Sequence, residues 1–123
     1  MKTLVLACAL IAATALAEED KYKTVTDQIN MEAVVEDPKK MQEVMDCLLD
    51  VQPCSKLHAD FLALVPEVIK TACAKCDSTQ KHSANIFLNA LRTKMPKEYD
   101  SFVKKFDPEG KYLDTLLENV KGH

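Results

Sequence analysis

From about residue 30 onward, apolar positions recur at steps of three and four, the period of one face of an α-helix, and alternating runs that would suit a half-buried strand are few. In "DPKKMQEVMDCLLD" the stripe is Met41, Val44, Met45, Leu48 and Leu49. Asp37 supplies an N-cap there, and Pro38 suits the first helical position. Just upstream, "NMEAVV" predicts a short helix capped by Asn30. The segment "SKLHADFLALVPEVIKTACAKC" spaces Leu57, Phe61, Leu64, Val65, Val68 and Ala72 along one face. Pro66 inside it is expected to kink or split that helix, because proline lacks the N–H donor and crowds the preceding turn.

The pattern continues after Cys76. "DSTQKHSANIFLNALRTKM" carries Ala84, Phe87, Leu88, Leu91 and Met95 on one side. Pro96 ends that helix or opens the next, whose apolar side is Tyr99, Phe102, Val103 and Phe106. "DPEG" reads as a turn, with Pro108 presetting one dihedral and Gly110 tolerating a positive one. The last stripe is Tyr112, Leu113, Leu116, Leu117 and Val120. The expected fold is all-α, a single compact domain of about six short amphipathic helices.

The N-terminus breaks this pattern. "MKTLVLACALIAATALA" has one lysine, then a charge-free run from Leu4 to Ala17, with small residues at Ala15 and Ala17 before "EED". That predicts a secretory signal peptide over 1–17, cleaved after Ala17, and a helical domain over 18–123. The run is shorter than the roughly 20 residues that span a bilayer. The mature product is therefore expected in the extracellular fluid. Loss of Lys2 moves the formal net charge from −3 to −4, and the remaining basic residues are scattered, so nucleic acid is not an expected partner.

Processing also resolves the cysteine count. Five cysteines become four when Cys8 leaves with the leader, and an even number in a small exported chain points to two disulfides. In an unbroken helix Cys47 and Cys54 would lie about 10 Å apart along the axis, beyond disulfide reach. Pro53, however, drives Gln52 out of the helical region and turns the chain. A local 47–54 bridge then becomes possible, as does a 73–76 bridge at a helix end. Geometry leaves the two crossed pairings open as well.

C-x-x-C at Cys73 and Cys76 also has redox and zinc uses. For thiol exchange the attacking cysteine wants a helix N-terminus, whereas Cys73 falls near the C-terminal end of an apolar stripe and no βαβ pattern surrounds it. For zinc, the four cysteines supply enough ligands, but an oxidising export route favours disulfides. His58, His82 and His123 have no ligand spacing, and Ser55 and Ser83 sit in no G-x-S-x-G context. No catalytic constellation, metal or cofactor is expected. Met31, Met41, Met45 and Met95 suit either an ordinary small core or an adaptable apolar lining.

Taken as one pattern, Cys47-x6-Cys54-x18-Cys73-x2-Cys76, together with "CLLDVQPC", "CAKCDSTQK", "MPKEY" and "KFDPEGKY", resembles the chemosensory protein family of insects and other arthropods, the OS-D-like family. The resemblance spans the chain from Tyr22 onward. It implies six helices, bridges joining neighbouring cysteines (47 with 54, 73 with 76), an internal hydrophobic channel, and carriage of small apolar molecules such as semiochemicals, odorants or fatty acyl compounds. Three positions depart from the family pattern: Val44 and Thr26 stand where aromatic residues are common, and Tyr99 stands in place of a tryptophan. Less aromatic bulk is expected to enlarge or reshape the cavity.

The residues expected to line that cavity are Tyr22 and Ile29 near the N-terminus, and Met41, Val44, Met45 and Leu48 on the helix before Cys54. Phe61, Leu62, Val65, Val68 and Ile69 follow on the next helix, then Gln80, Ala84, Phe87, Leu88 and Leu91 after the C-x-x-C. Gln80 is the residue expected to meet a ligand head group. The leading expectation is a monomeric, non-enzymatic secreted carrier of small hydrophobic molecules. Two other classes compete with it: a secreted signalling or structural factor that binds a membrane receptor, and a thiol oxidoreductase using Cys73 and Cys76.

Overall fold

A computed structural model describes residues 22–123. The predicted leader, its cleavage point and Cys8 lie outside the described residues. A helical stretch over 22–26 (α1) is followed by α2 (Met31–Glu36), α3 (Pro38–Leu48), α4 (Lys56–Thr71), α5 (Ser78–Lys94), α6 (Pro96–Phe106) and α7 (Leu113–Val120). The described residues contain no strand.

Most helix starts are set by the residue types that the sequence offers there. Asn30 Oδ1 accepts the Ala33 N–H at 3.2 Å, Asp37 Oδ1 accepts that of Lys39 at 2.9 Å, and Ser55 Oγ accepts that of His58 at 3.2 Å. At α5 the cap is reciprocal: Asp77 Oδ1 accepts the Gln80 N–H at 2.8 Å, and Gln80 Oε1 accepts the Asp77 N–H at 3.0 Å. Each arrangement satisfies N–H groups that the first helical turn leaves without intrahelical partners.

Pro66 neither splits nor ends α4, which runs unbroken through it. Its ring lies on the exposed side of the helix, where water can reach the carbonyl that has lost its donor. The chain does turn after α3: Leu49 caps the helix and Asp50 takes a positive φ of 61°. This brings the Cα atoms of Cys47 and Cys54 to 4.9 Å and allows their disulfide. Lys105 from α6 fastens the same turn, donating from Nζ to the Leu48 carbonyl and pairing with Asp50 Oδ2 at 2.8 Å.

The "DPEG" turn between α6 and α7 is organised by Asp107. Its buried carboxylate accepts the backbone N–H groups of Lys111 (2.8 Å), Tyr112 (3.1 Å) and Leu113 (3.0 Å), while Gly110 takes φ 66°. Those bonds hold the Asp107 carboxyl below the usual carboxylate range, the Leu113 N–H contributing most.

Helix α5 is the central element and packs against α2, α6 and α7, while α3 packs on α2 and α4. The buried side chains form two groups. The larger joins Met41, Val44, Met45 and Leu48 of α3 to Val65 and Ile69 of α4, Phe87, Leu88 and Leu91 of α5, and the apolar sides of α6 and α7. The smaller is Tyr22, Val25 and Leu64.

Candidate functional site

The two groups do not close completely against each other. Between them lies an apolar cavity of about 90 Å³ whose walls draw on both. Helix α4 contributes Phe61, Leu64, Val65, Val68 and Ile69, and α5 contributes Gln80, Ser83, Ala84, Phe87 and Leu88. Each set follows the steps of three and four that define one helix face. Tyr22 and Thr26 of α1, Met31 of α2, Phe102 of α6 and Leu116 of α7 complete the wall. Phe87 is the hinge of an aromatic row, meeting Phe61 edge-on at 6.0 Å between ring centroids and Phe102 at 6.3 Å. Thr26, Phe61, Val68, Cys76, Ser83 and Ala84 are partly exposed, so one side of the cavity lies near solvent.

The disulfide Cys73–Cys76 forms part of the same wall. Helix α4 ends with two consecutive left-handed residues, Ala72 at φ 53° and Cys73 at φ 63°. Such a conformation costs roughly 1–2 kcal/mol per non-glycine residue. Several contacts hold it in place: the Cys73 N–H donates to the Val68 carbonyl at 2.9 Å, Asn119 Nδ2 donates to the Ala72 carbonyl at 3.1 Å, and the bridge itself closes the turn. Cys73 is 1% exposed, so its sulfur faces the cavity rather than solvent.

Among the described residues, the polar groups in the wall are those of Tyr22, Thr26, Gln80 and Ser83. Gln80 Nε2 donates to Thr26 Oγ1 at 3.2 Å, linking α5 to α1, and Thr26 Oγ1 donates to the Tyr22 carbonyl at 2.9 Å. Among the described residues, no charged side chain lines the cavity. Among the described residues no group of histidine, cysteine and acidic side chains could hold a metal ion, and no helix is long and apolar enough to cross a membrane.

Of the residues expected at a cavity, the structure brings together Tyr22, Phe61, Val65, Val68, Ile69, Gln80, Ala84, Phe87 and Leu88. It places Met41, Val44, Met45, Leu48 and Leu91 in solid core, and packs Ile29 and Leu62 partly buried against that core. Sequence reasoning passed over Leu64 and Ser83, although each lies three residues beyond a named wall position. It also passed over Phe102 and Leu116, left Met31 open between core and lining, marked Thr26 only as a departure from an aromatic position, and weighed Cys73 and Cys76 for a bridge, zinc or thiol exchange rather than as wall. His82 sits away from the cavity. Its Nδ1 faces the His123 backbone carbonyl and its Nε2 faces Glu32 Oε1 at 2.9 Å. The carbonyl chiefly, and Glu32 after it, raise the His82 pKa above its ordinary value.

The family model described as the insect pheromone-binding family, A10/OS-D, matches residues 22–114. The chain is similar to "Allergen Tha p 1" of Thaumetopoea pityocampa, 29% identical over 126 aligned residues that cover 100% of both chains. It is also similar to "Ejaculatory bulb-specific protein 3" of Drosophila melanogaster, 24% identical over 110 residues, covering 89% of this chain and 87% of that one.

Proposed function

This chain belongs to the insect pheromone-binding family, A10/OS-D, and on that premise we propose that it is a secreted, monomeric carrier of small hydrophobic molecules such as semiochemicals, odorants or fatty acyl compounds. The observation that carries this reading is the apolar cavity at the junction of the two core groups, walled chiefly by α1, α4 and α5. Burying ligand carbons there contributes about 0.8 kcal/mol per CH2, and the few polar wall groups orient one end of the ligand. The leader-like sequence over 1–17 supports export.

About 90 Å³ is small for a long alkyl chain, so binding one requires the walls to move apart. Met31, with its flexible thioether, and the partly exposed residues of α4 and α5 give the cavity room to adapt. Thiol exchange is a poorer reading, because Cys73 is buried at the C-terminal end of a helix, where the dipole opposes a thiolate.

The test is calorimetric titration with straight-chain alcohols of increasing length. Affinity should rise about fourfold per added CH2 until the walls stop yielding. A flat, millimolar response across the series would contradict the carrier reading.

A further inference from the structure

The polar end of the cavity offers donors and acceptors unequally. Gln80 is 8% exposed and lies three residues after the cap of α5. Its Oε1 accepts the Asp77 N–H at 3.0 Å, which fixes the orientation of the amide, since the reverse orientation would set donor against donor. Its Nε2 donates one proton to Thr26 Oγ1 at 3.2 Å. Thr26 has already directed its own hydroxyl proton to the Tyr22 carbonyl at 2.9 Å. The bonds therefore run in one direction, and the second N–H of the Gln80 amide remains to be given. Ser83, on the same face of α5, adds a hydroxyl to the wall.

Among the described residues, no cation lines this wall. The Asp77 carboxylate, bonded to the backbone N–H of Gln80 at 2.8 Å, has the wrong sign to help an anion. A ligand carboxylate would have to shed its charge or leave its head in water. A bare hydrocarbon would leave the Gln80 donor covered and unmatched.

Building on the carrier reading, we infer that the cavity selects chains ending in a neutral hydrogen-bond acceptor, such as an ester, aldehyde or ketone carbonyl, over carboxylates and hydrocarbons of equal length. Gln80 Nε2 is the discriminating donor. Thr26 contributes by holding that amide with a hydroxyl that only accepts from it.

The experiment is displacement of a fluorescent apolar probe by decyl acetate, decanal, decanoate and decane at neutral pH. The acetate and the aldehyde should bind roughly tenfold or more tightly than the other two. Gln80→Glu retains an acceptor for the Asp77 N–H, because glutamate serves the reciprocal cap as glutamine does, but it has no N–H to offer. In that variant the affinity ratio of decyl acetate to decane should collapse towards one. Equal affinities in the unaltered protein, tightest binding of decanoate, or an acetate preference that survives Gln80→Glu would overturn the assignment of the head group and leave the carrier reading intact. Failure of all four compounds to displace the probe would overturn both.

Discussion

Truncating Phe87 tests the cavity through stability and binding together. The ring is 4% exposed, lines the void, and makes edge-on contacts with Phe61 and Phe102. Phenylalanine-to-alanine changes in cores cost about 3–5 kcal/mol. Phe87→Ala belongs in the upper part of that range, because two ring contacts worth roughly 0.5–1.5 kcal/mol each go at once. A domain of this size has about 5–15 kcal/mol in total, so the variant should fold but melt well below the unaltered protein.

The deleted ring opens onto an existing cavity of about 90 Å³, and a dry cavity of about 150 Å³ elsewhere takes benzene. The enlarged site should therefore bind benzene more tightly than the unaltered cavity, whose walls must move apart to admit it. At a hundred times its Kd, benzene would restore about 2.7 kcal/mol. Urea unfolding followed by circular dichroism, with and without benzene, reads both effects. A loss under 1 kcal/mol, or equal stabilisation of both proteins by benzene, would refute the reasoning.

Three further outcomes follow from the fold. Replacing Cys47 and Cys54 by serine should cost about 2.5 kcal/mol from loss of an eight-residue loop closure, measured by urea unfolding. His82, raised by the His123 carbonyl and Glu32, stabilises the protein fully below its unfolded pKa of 6.5, and this is lost as pH rises through the higher folded value. Melting temperature should accordingly decline on the alkaline side of 6.5 in the unaltered protein, and His82→Gln should lack that decline. Asp107 has the opposite sign: its contribution is present above 3.8 and lost as pH falls through the lower folded value. Asp107→Asn should melt lower at neutral pH and show a flatter acid limb.

Element boundaries were legible where capping chemistry is local. Asn30 before α2, and Asp37 before Pro38, mark helix starts because donor and acceptor are fixed by short spacings. Pro66 misled in part because its effect depends on whether its side of the helix meets water, which is a property of packing. The cavity was only half legible. Helical periodicity distinguishes a buried face from an exposed one, but not a face against a void from a face against solid core. Met41 and Val65 therefore look alike in sequence and part company in the fold. Thr26 was marked in sequence only as a departure from an aromatic position. Its bond to Gln80 spans 54 residues, and no local rule points to it.

The central claim is the location of the ligand, and amide chemical-shift mapping during titration with decyl acetate tests it most directly. Saturable changes should concentrate at Tyr22 and Thr26, along Phe61–Cys76 and along Gln80–Leu88, with little change around Asp46–Val51. Shifts confined to the outer surface of α6 and α7 between Tyr99 and Asp114, or no saturable shift at all, would contradict it.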